Sequence, residues 1–253
     1  MRSLLENKVV LITGAGRGLG HAIGMLFATH GAQGVLADLP GSPREAAPAS
    51  LIAADCDVTQ AASVSACIAL TLERFGRLDV LIANAGLVPG WRATQALDFD
   101  EWDRVMAVNA RGVAMMLAQA APALRESRGN VVAMGSINSF TAHPQQMLYT
   151  ASKHAVLGIV RAAARDLGPA GVRVNALAPG PIATAALLER IRHRAAAGGQ
   201  PHDAALEQLA QGNALKRLAT AEEVAQGALF LASPLASGIT GVMLPVDAGF
   251  CAV

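Results

Sequence analysis

The sequence predicts one doubly wound α/β domain, a seven-stranded parallel sheet flanked by helices. Three observations carry this reading. Short β-branched runs recur without the alternation of a half-exposed strand; alanine-rich helical stretches separate most of them; and no linker or internal repeat divides the 253 residues. Strands apolar on both faces belong inside a parallel sheet, because helical crossovers cover both sides.

The elements follow in order. Val9-Val10-Leu11-Ile12 forms the first strand, and residues 19–29 the helix after it. Further strands are expected at 34–37, 51–54, 79–82, 130–133, 173–177 and 242–246. Pro40, Pro43 and Pro48 make the crossover at 40–48 a loop or a stunted helix. Residues 102–117 carry a helical pattern. Residues 181–215 form an insertion broken by Gly198-Gly199-Gln200-Pro201. It reads as a substrate lid or a plain helical hairpin, and its place after a late strand favours the lid. The whole of 1–253 is expected to be a single domain.

Composition narrows the function. Apolar residues make up 53% and charged ones 15%, which excludes a disordered chain. A net charge of +1 gives no global field to recruit nucleic acid or an anionic membrane, and the densest basic group, at 190–194, reads as a solvated helix face. Cys56, Cys67 and Cys251 contain no CxxC pair, which argues for a reducing compartment and against a disulfide framework or a metal site. Arg2, Glu6 and Lys8 interrupt any signal-like stretch, and no apolar run reaches the roughly 20 residues of a membrane span. A cytoplasmic protein with a small-molecule substrate is expected.

The first strand runs into Thr13-Gly14-Ala15-Gly16-Arg17-Gly18-Leu19-Gly20, a TGxxxGxG spacing. Glycines here permit a tight strand-to-helix turn and close approach of a pyrophosphate to backbone. The helix opening at Gly18, Leu19 and Gly20 offers unpaired N–H groups and a positive dipole end, as in Rossmann-type nucleotide sites. Asp38 ends the second strand, where a carboxylate accepts both ribose hydroxyls of NAD and repels the extra phosphate of NADP. Arg17 pulls the other way, since its guanidinium reaches toward a 2′-phosphate. NAD is the expected cofactor.

From here the chain resembles the short-chain dehydrogenase/reductase family in its single-domain form. The ordered set is Thr13 to Gly20, Asp57-Val58, Asn84-Ala85-Gly86, Asn109, Ser136, Tyr149 with Lys153, and Pro179-Gly180. The resemblance spans essentially the whole length. Tyr149-Thr150-Ala151-Ser152-Lys153 puts phenol and amine one helical turn apart. Tyr149 is the chain's one tyrosine. A free phenol, with a pKa near 10, is a poor base at neutrality; lowering it by about three units takes roughly 4 kcal/mol. The Lys153 ammonium, helped by an oxidised nicotinamide, is the expected source. Tyr149 then serves as general acid or base, and the Ser136 hydroxyl bonds the substrate oxygen.

The resemblance assigns further roles. Asn109 joins a backbone-and-water relay to Lys153, which also bonds the nicotinamide ribose. Asn84, Ala85 and Gly86 support the sheet and pass the adenosine ribose. Asp57 and Val58 meet adenine, although Asp57 equally suits a helix N-cap. Pro179, Gly180, Ile182 and Thr184 resemble the segment that closes on the nicotinamide carboxamide. Ala83 and His21 depart from the pattern, and the short 40–48 crossover suggests a more open adenine side.

Substrate residues are expected among Val88, Trp91, Arg92, Asn138, His143, Gln146 and Met147, with Trp91, Ser136, Asn138 and Gln146 foremost. Arg92 could meet an anion, and His143 reads as structural. Low charge on the helices around Asn109 and Tyr149, with the family's habit, implies a homotetramer. The leading reading is an NAD-dependent alcohol dehydrogenase. Alternatives are an NADPH-dependent 3-oxoacyl carrier reductase and a non-catalytic NAD(H) sensor.

Overall fold

The computed structural model describes residues 3–196 and 198–252. Residues 1, 2, 197 and 253 of the expected span lie outside the described residues. The strands are β1 (Val9–Thr13), β2 (Gln33–Asp38), β3 (Leu51–Asp55), β4 (Val80–Ala83), β5 (Asn130–Met134), β6 (Arg173–Pro179) and β7 (Met243–Val246). Between them run α1 (Gly18–Thr29), α2 (Ala61–Phe75), α3 (Phe99–Met106), α4 (Val113–Ser127), α5 (Met147–Leu167), α6 (Ala185–Ala196), α7 (His202–Gly212) and α8 (Ala221–Ala232).

The strands pair in the order β3-β2-β1-β4-β5-β6-β7, and every pairing is parallel. Successive side chains alternate between the two faces, so each strand feeds two cores. Leu11, Leu81, Val131 and Val174 meet Val64 of α2, Met116 of α4 and Val156 of α5. Val10, Ile12, Ile82 and Val132 meet Ile23 and Phe27 of α1 and Val224 and Leu229 of α8. This explains the missing alternation: both faces are dry.

The order reverses beside β1, since β2 lies on one side of it and β4 on the other. Open α/β sheets bind ligands at such a reversal, outside the carboxyl ends of the strands. Among the described residues no helix is long and apolar enough to cross a membrane.

Three features differ from or extend the expectations. The 40–48 crossover contains no helix, as its prolines demand, but it does not leave its side open. Glu45 N–H donates to the Gly16 carbonyl oxygen at 2.7 Å, and the His21 ring bonds the Ala46 carbonyl at 2.9 Å and lies 3.1 Å from the Glu45 carboxylate. The loop therefore straps across the glycine turn, held partly by the unusual His21. The helical pattern at 102–117 is interrupted by a π-helical turn, Ala107–Gly112. The insertion is a helical hairpin, α6 and α7, standing at the carboxyl end of β6.

Candidate active site

The glycine turn is built for close approach. Gly14 has φ +62°, and a Cβ on it would sit 2.8 Å from Ala85 Cα; one on Gly20 would collide with the Gly14 carbonyl oxygen and lie 2.6 Å from Asn84 Nδ2. Gly18 also has positive φ, +64°, but a Cβ there would meet nothing within 4 Å. The helix α1 starts at Gly18 without a side-chain cap bond from Arg17. Its first N–H groups thus lack a side-chain cap and carry a positive dipole end, an arrangement that fits a pyrophosphate.

Side chains at the strand ends brace this cradle. Asn84 Nδ2 donates to the carbonyl oxygens of Thr13 (2.9 Å) and Gly14 (2.8 Å), while Thr13 Oγ1 accepts from the Asn84 and Ala85 N–H groups at 3.2 Å each. Asp38 Oδ2 accepts from Gly16 N–H at 2.8 Å; its Oδ1 accepts from Leu39 N–H (2.8 Å) and Ser42 Oγ (3.1 Å). Asp38 is therefore fixed beside the turn. Asp57 is not a helix N-cap: α2 begins after Gln60, and Asp57 Oδ1 instead accepts from Thr59 N–H at 2.9 Å and Thr59 Oγ1 at 2.7 Å. The intervening turn keeps its carboxylate out of capping range. Val58 is buried and would press against a side chain at Gly112.

Tyr149 and Lys153 lie on the first turns of α5. The Tyr149 phenol lies near the Ser136 hydroxyl, which favours its ionised form; Ser136 is 6% exposed, just past the end of β5, and its Oγ accepts from Asn138 N–H at 3.2 Å. Ser136 caps a short 3-10 turn, Ile137–Ser139, and Ser139 Oγ donates to the Lys153 carbonyl oxygen at 2.8 Å. That bond ties the serine turn to α5. Lys153 Nζ lies 5.7 Å from the Tyr149 ring centroid and donates to the Met134 carbonyl oxygen at 2.9 Å. Burial with no carboxylate partner among the described residues brings the amine down to about 8.

Burial pushes the Tyr149 phenol above its usual value; the nearby Ser136 hydroxyl and the Arg190 guanidinium of α6 pull it back. Lys153 directs one N–H at the Met134 carbonyl oxygen. Sequence reasoning missed Arg190 because 190–194 looks like a solvated face, and only the folding back of α6 reveals it.

Asn109 is fully buried in the π-helical turn. Its Oδ1 accepts from Leu87 N–H at 2.7 Å; its Nδ2 donates to the Leu87 carbonyl (2.8 Å) and Ser152 Oγ (3.1 Å). The side chain thus clamps the chain after β4 and does not reach Lys153. A relay to Lys153 would have to run through the Asn109 backbone. Between them lies Gly86, where a Cβ would be 3.4 Å from Asn109 Oδ1 and 3.6 Å from Lys153 Nζ.

On the sheet's other side of this centre, β6 ends at Pro179, and Gly180 N–H donates to the Val246 carbonyl at 3.1 Å. Ile182 is buried and forms a parallel bridge with Ala219; Thr184 precedes α6 and its carbonyl accepts from Leu188 N–H at 3.0 Å. These bonds position the hairpin's entry.

A cleft beside Tyr149 is lined by Gln146, Met147, Arg92, Glu101 and Arg190. The expected wall is only partly right. Asn138 is 3% exposed and donates to Gln146 Oε1 and Thr150 Oγ1, 3.1 Å each, so it braces the wall from behind. Arg92 Nε donates to Glu101 at 2.7 Å and is not a free anion site. Val88 is exposed and does not line the cleft. His143 stacks edge-on against Phe250, with ring centroids 5.6 Å apart. Trp91 carries two guanidinium groups, Arg190 at 4.5 Å and Arg194 at 4.9 Å from its ring centroid.

The sheet order, the uncapped glycine turn and this centre define a doubly wound dinucleotide-binding type of protein. A family model described as enoyl-(acyl carrier protein) reductase matches residues 14–251. Short-chain dehydrogenase reductase 3c of Arabidopsis thaliana is 38% identical over 98% of this chain and 96% of its own. Levodione reductase of Leifsonia aquatica is 35% identical over 96% and 94%. The crystal structure of carveol dehydrogenase from Mycobacterium avium in complex with NAD superposes with a TM-score of 0.90 at 27% identity, covering 99% of this chain and 100% of that one. The chain belongs to the short-chain dehydrogenase/reductase family of oxidoreductases.

Proposed function

We propose that the protein is an NAD-dependent dehydrogenase or ketone reductase interconverting a secondary alcohol and a ketone. The observation that carries this is the Tyr149 side chain at the cleft wall beside Ser136, with Lys153 Nζ 5.7 Å from its ring centroid, one turn away on the same helix. The uncapped N-terminus of α1 and the open space before Gly18 support a bound dinucleotide. Gly14, Arg17, Gly18, Leu19 and Gly20 would hold its pyrophosphate; Asp38 its adenosine ribose; Asp57, Val58, Asn84, Ala85 and Gly86 its adenosine side; Pro179, Gly180, Ile182 and Thr184 its carboxamide. When bound, the nicotinamide supplies the hydride acceptor or, in the reverse direction, the donor.

During oxidation Tyr149 takes the hydroxyl proton, and during reduction it returns one. Ser136 donates to the substrate oxygen and steadies the charge that develops there. Lys153 uses one N–H on Met134, which leaves two donors for ribose hydroxyls. Asn109 is a positioning residue that holds the chain after β4 against α5. The fixed Asp38 carboxylate favours NAD over NADP, since two charges about 4 Å apart at intermediate dielectric interact by roughly 4 kcal/mol. The hairpin α6 and α7 acts as the substrate lid of a single catalytic domain. A cytoplasmic homotetramer completes the reading.

Steady-state kinetics with both cofactors on wild type and Tyr149→Phe test it. The substitution is expected to lower kcat/KM by about 10²–10⁴-fold, with NADH affinity in a fluorescence titration within a few-fold of wild type. Unaltered velocity and pH profile would remove Tyr149 from the chemistry, and a higher kcat/KM with NADP would overturn the role of Asp38.

A further inference from the structure

Arg190 is the odd residue of the cleft. It is half-buried, lines the same cleft as Tyr149, and acts electrostatically on the phenol. Among the described residues it has no carboxylate within ion-pair distance and no hydrogen-bond acceptor for its guanidinium. The carboxylate that shares the cleft lining is taken: Glu101 is held by Arg92 at 2.7 Å, with Asp98 3.9 Å from the same arginine. Arg92, Glu101 and Asp98 therefore form a closed group, and Arg190 is left over.

A guanidinium carries its donors around its edge, while stacking on an aromatic ring uses its face. Arg190 Cζ lies 4.5 Å from the Trp91 ring centroid, a cation–π contact that gives the N–H donors of its fork no oxygen or nitrogen acceptor. A second guanidinium, Arg194, crowds the same indole at 4.9 Å without an ion pair among the described residues. Two like charges share one ring, and desolvation already weighs on Arg190. An anion at the fork would satisfy the donors, relieve the crowding, and place a negative charge at the cleft beside the reacting centre.

We infer that Arg190 anchors a substrate carboxylate through a bidentate pair, so that the natural substrates are hydroxy acids and their oxo-acid counterparts. This rests on the alcohol–ketone reading above and names its substrate class. The bond changes are those of that reaction: the carbinol C–H leaves as hydride to the nicotinamide, the O–H proton passes to Tyr149, and the carboxylate is a spectator that fixes orientation. Bidentate arginine–carboxylate pairing suits this task because it sets angle as well as distance.

The test compares short 2-, 3- and 4-hydroxy acids with their N-methyl amides, alongside neutral cyclic and sugar alcohols, in wild type, Arg190→Met and Arg190→Lys. For at least one chain length, wild type should favour the acid over its amide by roughly 10- to 100-fold in kcat/KM, the worth of a charge-assisted pair. Arg190→Met should collapse that ratio toward one, and Arg190→Lys should leave an intermediate ratio. NADH titration verifies that both variants remain folded. Turnover of neutral alcohols with every acid inert, or an acid-to-amide ratio that Arg190→Met leaves in place, overturns the anchor while the alcohol–ketone reading stands. Absence of turnover across the whole panel in wild type overturns both.

Discussion

The two ends of the cleft are held by different means. On the cofactor side, backbone bonds and short polar side chains fix the glycine turn: Asn84 on Thr13 and Gly14, Asp38 on Gly16, and Glu45 across the top. Apart from Arg44, which ties the strap to the Ala54 carbonyl oxygen at 3.0 Å, these contacts do not depend on a long side chain keeping its rotamer. On the substrate side, α6 meets the loop after β4 through guanidinium groups stacked on Trp91. A nucleotide of constant shape is suited to a rigid cradle. A substrate that must enter and leave is suited to contacts worth little individually, and an exposed cation–π contact is worth about 0.5–1 kcal/mol.

The sharpest way to probe this contrast is the residue at its seam. Lys153 is only 5% exposed, and burial brings its amine down to about 8 from the ordinary 10.5. Because the folded value lies below the unfolded one, the unfolded chain binds more protons between pH 8 and 10.5, and this group's contribution to stability rises with pH through that window. The change amounts to about 3 kcal/mol. Denaturant titrations should show wild type gaining on Lys153→Met by this amount from pH 8 to 10.5; parallel curves would mean the amine keeps an ordinary value.

A smaller effect separates the rigid end from its surroundings. Gly20→Ala forces a Cβ onto the Gly14 carbonyl oxygen and Asn84 Nδ2, and overpacking of this kind costs typically 1–3 kcal/mol. A fall in Tm accompanied by weakened NADH binding is expected. Unchanged values for both would show that the turn yields easily. The smallest effect belongs to the other end: Trp91→Leu removes both guanidinium contacts and should lower unfolding free energy by about 1–2 kcal/mol, leave NADH affinity alone, and raise substrate KM. A loss of NADH affinity would mean that the two ends are mechanically coupled.

How far the sequence could reveal these features follows the same division. The strands were readable because β-branched runs apolar on both faces fit little besides the interior of a helix-covered sheet, and the glycine turn because its spacing is demanded by backbone approach. Tyr149 and Lys153 stood out through their helical spacing and the rarity of tyrosine in this chain. Asn109 was recognisable as a position but not as a clamp on Leu87, since that contact joins segments far apart in the chain. Arg190 is invisible among neighbouring arginines, because helical periodicity does not say which surface α6 turns toward the cleft. The docking of 40–48 is hidden for a related reason: prolines forbid a helix but do not say where the loop will lie. Short-range rules told what each segment is, and long-range contacts decided what each arginine and asparagine touches.

The π-helical turn at Ala107–Gly112 has a consequence for the chain's tolerance of length changes. Each residue added to or removed from a helix rotates everything beyond it by about 100°. Deleting one residue between the start of α3 and Asn109 would swing the amide away from Leu87, although no contacting atom had been altered. The segment therefore behaves as a ruler as much as a support, and its length is as strongly constrained as the identity of the asparagine it carries.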